Sequence, residues 1–519
     1  MIRRNSGTEQ VRAPKRCLDP ERKGAAAARP SSGRRAFAGG TLALAAAWAL
    51  PGCATIEPEL SRSPPPRAPD DLTRLRDGGP DPVVAGETLR GDLLRRFYAQ
   101  RGFEPVWTTR PAQAAALADV VLAAGDHGLD PELFQAGLLQ RRATLAPLQR
   151  DMLLSHAVLT YAEALALGAV PAARRRDGEA LAPDPVDVAR VLDAALDRRD
   201  PAAAIEALAP ATPTYEALRR ALVQLRDGAA ASDGLVADAL ARSARGIAVN
   251  LERQRWLPRR IPPDRVWVNV ADQQVTFYRD DQAVFTSRVV VGDVIERKQS
   301  PEFRTVIESS LLNPPWVVPR DIVEADILPR LERDPGFLER HNITLLPNGE
   351  AEQAPGPESG LGAIMFVMPN RFDVYLHDTP DKSAFGRENR RISNGCIRVE
   401  NPLQLASLLM EKPLGAIHEA IAEGGTTRKP LPRPVPVFVT YQTAFATADG
   451  TLQFRPDFYA RDAGIWRQLR KNPGPEETPE PAPEAAPAVA AATRPSPGPR
   501  STRRPQPRPA PRLVEPRRR

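Results

Sequence analysis

The chain's 519 residues carry 71 Lys and Arg against 64 Asp and Glu, a formal charge of +7, with 42% hydrophobic residues. That length excludes a single small domain, and so mild a positive balance excludes the strongly basic signature of a nucleic-acid binder. The 56 prolines crowd toward the two ends, which excludes packed structure there, and three cysteines, at 17, 53 and 396, are too scattered for a disulfide framework or a zinc cluster. No metal and no cofactor is expected.

Taken in order, Arg34-Arg35 precedes a short apolar run from Ala36 to Leu50, which reads as a secretory signal too short to span a bilayer. Leu50-Pro51-Gly52-Cys53 closes the run and resembles the lipobox of bacterial lipoproteins, which makes Cys53 the candidate lipidation site. Arg34-Arg35-Ala36-Phe37 also resembles a twin-arginine signal. The expectation is a signal peptide and lipobox over 1–53, with Cys17 removed or inert, and a Pro-rich tether over 54–84. It places the protein in the periplasm, held to a membrane by lipid.

Apolar residues then recur at helical spacing over 89–98, 114–124, 133–139, 145–167, 185–196 and 215–225. Asp130 before Pro131 is a helix-start signal, and His127 and His156 read as core or capped histidines. The pattern predicts an all-α domain over 85–245. Past Arg245 the period changes to two, at 266–270, 274–278 and 284–291, with further strand candidates at 304–311, 363–367, 374–377 and 435–441. Residues 246–470 are therefore expected to form a mainly-β domain, with a helical insertion at about 320–357 acting as a cap. From 471 to 519 the chain is rich in Pro, Ala, Glu and then Arg, and is expected to stay disordered, free to touch an anionic polymer or membrane.

The chemistry gathers in the β domain. Cys396 lies in Ser393-Asn394-Gly395-Cys396-Ile397-Arg398-Val399, a short distance after Tyr375-Leu376-His377-Asp378-Thr379-Pro380. A free thiol is only a few per cent ionised at neutral pH, so a nucleophilic cysteine needs a base, and His377 at a strand end is the candidate. Gly395 lets the backbone approach a substrate, and the amides of Gly395 and Cys396 are candidate oxyanion donors. Arg398, two residues past the thiol, suits a substrate carboxylate or a loop-orienting role. A lone thiol surviving in an exported chain argues for reactivity over a small buried hydrophobe.

These two motifs resemble the catalytic motif of the L,D-transpeptidases, in the large periplasmic branch that has a scaffold domain and a capping insertion. The likeness continues through Asn250-Leu251-Glu252-Arg253, Arg288-Val289-Val290-Val291-Gly292 and Asn313-Pro314-Pro315-Trp316, and upstream through Phe103-Glu104-Pro105-Val106-Trp107. It implies a β-sandwich-like catalytic domain and a ping-pong acyl transfer on peptidoglycan stem peptides, with D-alanine leaving and a 3→3 cross-link formed. By motif Cys396 is the nucleophile, His377 the base and then the acid, and Arg398 the supporting arginine, while Tyr375, Trp316, Asn394 and Ser393 line the donor groove. Two departures stand out. Asn394 replaces a histidine that many members carry, and residues 225–245 are too few for the peptidoglycan-binding module usual in this branch. The alternatives are an L,D-carboxypeptidase or hydrolase of the same bonds and a non-catalytic wall-binding scaffold; protein partners are not identified by the sequence.

Overall fold

The computed structural model describes residues 70–473; the leader, Cys17, Cys53, most of the expected tether and the tail from 474 lie outside the described residues. The fold begins earlier than residue 85. Asp70 accepts the Thr73 N–H (2.8 Å) to cap a helix at Asp71–Arg76, which buries Leu72 and Leu75 in the helical core. Two leucines three residues apart behind a capping aspartate suffice for one docked turn.

The helical domain is built on α1 (Gly91–Ala99), α2 (Pro111–Leu122), α3 (Pro147–Leu167), α4 (Pro213–Ala230) and α5 (Gly234–Arg255). Proline at the first turn of α2, α3 and α4 costs no hydrogen bond there and presets the helical backbone. α3 is buried on nearly all sides, with the other helices around it. α4 and α5 form an antiparallel pair occupying the stretch too short for a binding module. α5 passes through residue 245 without a break, because Ile247, Val249 and Leu251 continue its apolar face into the helical clusters. The helical domain thus extends about ten residues beyond the expected boundary. Its end is locked by Glu252, which pairs with Arg255 (2.9 Å) and accepts the Val170 N–H (2.8 Å), with both charged residues fully buried.

The β domain has nine strands in one sheet: β1 (Arg265–Asn269), β2 (Gln274–Arg279), β3 (Gln282–Gly292), β4 (Phe303–Leu312), β5 (Ile364–Val367), β6 (Leu376–His377), β7 (Arg391–Ser393), β8 (Ile397–Val399) and β9 (Thr427–Thr440). Their order is β7-β3-β8-β6-β5-β4-β9-β1-β2. β2 also pairs with β3, so the expected sandwich is realised as one sheet closed on itself, with β7 appended to the side of β3. Its core is aliphatic, from Val266, Val268 and Val289 to Ile397 and Val437, and two helices, α6 (Pro402–Met410) and α7 (Leu414–Ala422), help cover it.

The insertion begins at Trp316 and is not purely helical. Its strands Trp316–Val318, Ile343–Leu345 and Ala351–Gln353 form a small sheet over a separate core of Val318, Val323, Ile327 and Ala351. The turn at Pro347-Asn348-Gly349, closed by Leu346 N–H to Glu350 O (2.8 Å), is the hairpin signal that the helical reading passed over. After β9 the chain leaves the sheet. A hairpin at Ala444–Ala446 and Leu452–Phe454 packs on α4 and α5, and α8 (Asp462–Gln468) puts Ile465 and Leu469 into the helical core. The end of the segment assigned to the β domain therefore belongs by packing to the helical one. No helix among the described residues is long and apolar enough to cross a membrane.

Candidate active site

β6 and β8 are adjacent and parallel, with Leu376 opposite Ile397 and His377 opposite Arg398. Leu376 and Ile397 are fully buried in the β-domain core. Strand alternation then turns His377 and Arg398 to the opposite face, and it places Tyr375 and Cys396 one step back along the same two strands. The Tyr375 carbonyl accepts the Ile397 N–H (2.9 Å), which pins the register at the thiol.

Cys396 sits at the end of a tight turn. Gly395 has φ +113°, a conformation other residues adopt only under strain. Its N–H donates to Ser393 Oγ (3.2 Å), and that hydroxyl donates in turn to the Cys396 carbonyl (2.6 Å). Ser393 is buried, with its hydroxyl engaged inside the turn and not displayed in a groove. The Gly395 N–H, expected as an oxyanion donor, is thus engaged within the turn. The thiol itself is half-buried, and its S–H donates to the Asp373 carbonyl (3.7 Å). Asp373 presents that carbonyl from a left-handed backbone, φ +50°.

His377 is 4% exposed. Burial first, and then the positive charge of Arg398, push its pKa down to about 4, against the carbonyls of Asp378 and Leu361, which favour the charged ring. Nδ1 lies 2.5 Å from the Asp378 carbonyl, an acceptor only, so Nδ1 carries the proton of the neutral ring. Asp378 is fixed in turn: its carboxylate accepts the Ala363 N–H (2.9 Å) and pairs with Lys382. At neutral pH the imidazole is thus neutral and the Cys396 sulfur faces a carbonyl, an arrangement suited to general-base activation. Burial lowers the Arg398 pKa, opposed by Cys396 and Asp381, so the guanidinium lies within the field of the thiol. The Arg398 guanidinium makes no hydrogen bond or ion pair among the described residues, which leaves its donors for a ligand.

Tyr375 is largely buried, and its hydroxyl pKa is raised by burial, by Asp373 and by Cys396, which places the ring beside the thiol. Half-buried Asn394 adjoins it in the turn. Trp316 lies at the root of the insertion, packed against both the β-domain core and the insertion's own core. His127 and His156 are buried in the helical domain, bonded to Tyr215 and Glu206 and to Gln135. Sequence reasoning missed Asp373, Asp378 and Ser300. The first two adjoin the motif residues and act through backbone carbonyls, which have no side-chain signature; Ser300 is remote in sequence and gives no signal. Among the described residues no group of three or more His, Cys, Asp and Glu is placed to hold a metal ion.

Residues 92–222 match a family model described as a scaffold domain, and residues 263–435 match the L,D-transpeptidase catalytic domain. A Haemophilus influenzae protein named "Putative L,D-transpeptidase" is 31% identical over 242 residues, 42% of this chain and 48% of the relative. The chain thus spans about half the length of the curated relative it matches. Two solved structures, the Ldtfm–avibactam carbamoyl enzyme and a mutant Enterococcus faecium L,D-transpeptidase, share 13% and 12% identity and cover 34% of this chain and 49% and 50% of theirs, each at TM-score 0.19. A likeness that low carries no weight on mechanism. The two matches coincide with the helical and β domains, so the chain joins a domain similar to the scaffold model to a domain similar to the L,D-transpeptidase catalytic domain.

Proposed function

We propose that the chain is a cysteine-dependent L,D-transpeptidase that forms 3→3 cross-links between peptidoglycan stem peptides. The observation that carries the reading is the pairing of His377 with Arg398 across two adjacent parallel strands, with Cys396 immediately before the second. In the first half-reaction the Cys396 sulfur bonds to the carbonyl carbon of the diaminopimelate residue, at its L centre, while the S–H proton passes to the ring nitrogen of His377 that does not face Asp378. The negative charge on the former carbonyl oxygen is met by the Cys396 N–H. The C–N bond to D-alanine then breaks, the imidazolium proton goes to the departing amine, and a thioester remains. In the second half-reaction an amine of a neighbouring stem attacks the thioester and gives its proton to His377. The new amide forms, and the thiolate leaves and is reprotonated.

Each transfer places a proton on a buried ring, so the Asp378 and Leu361 carbonyls matter most at that moment, when they face an imidazolium. Arg398 receives a stem-peptide carboxylate, and Tyr375, Asn394 and Trp316 with the insertion bound the groove. The same thiol accepts a carbapenem, whose strained carbonyl is an alternative acyl donor. We place the activity in the periplasm, with the chain tethered through lipid on Cys53, on the strength of the apolar run ending in Leu50-Pro51-Gly52-Cys53. Incorporation of a fatty-acid probe, lost in Cys53→Ala, tests that placement.

The activity is tested by incubating the full chain with disaccharide tetrapeptide and following products by mass spectrometry. Release of D-alanine with cross-linked dimers, absent in Cys396→Ala, supports transpeptidation. Tripeptide monomer as sole product replaces it with a carboxypeptidase, and unimpaired cellular function in Cys396→Ala replaces it with a wall-binding scaffold.

A further inference from the structure

The turn that carries Cys396 is held from behind by a buried polar chain leading back to the scaffold domain. Ser300, fully buried, donates its hydroxyl to the Gly395 carbonyl (2.8 Å) and accepts the Gly292 N–H (2.9 Å). Tyr459 donates its hydroxyl to the Gly292 carbonyl (2.5 Å) and accepts the Ser300 N–H (3.3 Å). Arg461 donates to the Ser300 carbonyl (2.9 Å), pairs with buried Glu302 (3.4 Å), and lies over the Tyr459 and Tyr441 rings at 4.7 and 4.8 Å. The next residue, Asp462, pairs with Arg253 of α5 (2.7 Å) and opens α8; Ile465 of α8 and Leu469 just past its end are buried in the scaffold core. In sequence this strap is the last described part of the chain. In space it runs from the centre of the scaffold domain to the peptide bond of the nucleophile.

The consequence follows from peptide geometry. The described chain has no cis peptide bond, so the Gly395 carbonyl and the Cys396 N–H point in opposite directions across one planar unit. Fixing that carbonyl on buried Ser300 fixes the Cys396 N–H on the opposite side, away from the protein interior behind the turn. Gly395, at φ +113°, has no side chain to hold this plane, and rotation about its flanking bonds meets little steric resistance. The restraint has to come from elsewhere.

We infer that Ser300 and Tyr459 are positioning residues that lock the Gly395–Cys396 peptide plane, so that the scaffold domain, through the C-terminal strap, sets the oxyanion donor of the catalytic domain. The inference rests on the acyl-transfer reading for its kinetic consequence, though not for its structural one. It gives the scaffold domain a role in the chemistry at a site that α8 reaches by way of Asp462, Arg461 and Tyr459. It also accounts for a hydroxyl on Tyr459, where phenylalanine would preserve the stack on Tyr441 (5.2 Å, 14° between planes).

The experiment compares wild type, Ser300→Ala, Ser300→Thr and Tyr459→Phe in the full chain. Two reactions of Cys396 are timed: acylation by a carbapenem, which passes through an oxyanion, and alkylation by iodoacetamide, which does not. Ser300→Ala and Tyr459→Phe should slow acylation by roughly tenfold or more, below the full loss known for deleting an oxyanion donor. Alkylation should stay within about twofold, and Ser300→Thr, which keeps the hydroxyl, should restore most of the acylation rate. Unchanged acylation, or equal slowing of both reactions, overturns the inference. Amide hydrogen exchange supplies a readout that needs no catalysis: exchange at Gly395 and Cys396 should quicken in Ser300→Ala, and unchanged exchange overturns the inference too. A wild-type chain that alkylates but is inert to carbapenem and tetrapeptide would refute the enzymatic reading, while the exchange comparison would still decide the positioning.

Discussion

Replacing Arg398 by methionine isolates the electrostatic coupling at the centre of the site. Arg398 faces His377 across paired strands, and burial together with its charge holds the imidazole at about 4. With strands about 4.8 Å apart and two side chains of unequal length, the charges would lie on the order of 7 Å apart, worth about 2 kcal/mol at an effective dielectric near 20. That energy corresponds to about 1.5 pH units. The sign follows from the charge: removing a cation makes the imidazolium less unfavourable, so the His377 pKa rises from about 4 in Arg398→Met and stays nearly in place in Arg398→Lys. An NMR titration of the His377 ring measures the rise directly, and the acid limb of the acylation profile should move up with it. A ring pKa equal in wild type and Arg398→Met would refute the coupling, and an equal rise in the methionine and lysine variants would assign it to packing instead of charge.

Other predictions concern stability. His377 and His156 are both buried and held near 4, below the value of about 6.5 for an unfolded histidine. Depressed values contribute stability that is complete above about pH 6.5 and is lost as pH falls through the folded value, so each costs about 2 kcal/mol by pH 5; urea unfolding at pH 7 and pH 5 measures this, and His156→Gln should flatten the dependence. A Cβ at Gly362, φ +62°, would meet the Asp378 side chain at 2.5 Å. Gly362→Ala should cost about 1–3 kcal/mol and slow acylation by displacing the carbonyl that holds His377, whereas wild-type kinetics in that variant would remove Asp378 from the account. Arg255→Met strands the fully buried Glu252 and should destabilise the scaffold domain by about 3–5 kcal/mol. A loss below about 1 kcal/mol in denaturant titration would show that the pair is not isolated from water.

Period alone disclosed the two architectures, since α3 has a long apolar pattern at helical spacing and β1 and β2 alternate. It could not disclose sheet closure, because the pairing of β2 with β3 is a contact between strands and not a property of either. The small helix at Asp71–Arg76 and the strap from Tyr459 to Leu469 were hidden for a related reason: their apolar residues are few, and they are stable only because the scaffold core receives them. Cys396, His377 and Arg398 were legible because side-chain chemistry names them. Ser300, Asp373 and Asp378 were not, because the groups they place at the site or hold there include backbone carbonyls, common to every residue. Ser393 shows the converse error, a polar residue in a motif whose hydroxyl is spent inside its own turn.

The central claim is that Cys396 forms an acyl-enzyme with the diaminopimelate carbonyl of a stem peptide and expels D-alanine. Intact-mass and peptide mass spectrometry of the full chain, quenched in acid after brief mixing with disaccharide tetrapeptide, tests it most directly. An adduct equal to the donor minus D-alanine is expected, confined to the peptide containing Cys396 and absent in Cys396→Ala. An adduct on another residue, or D-alanine release that persists in Cys396→Ala, would contradict it.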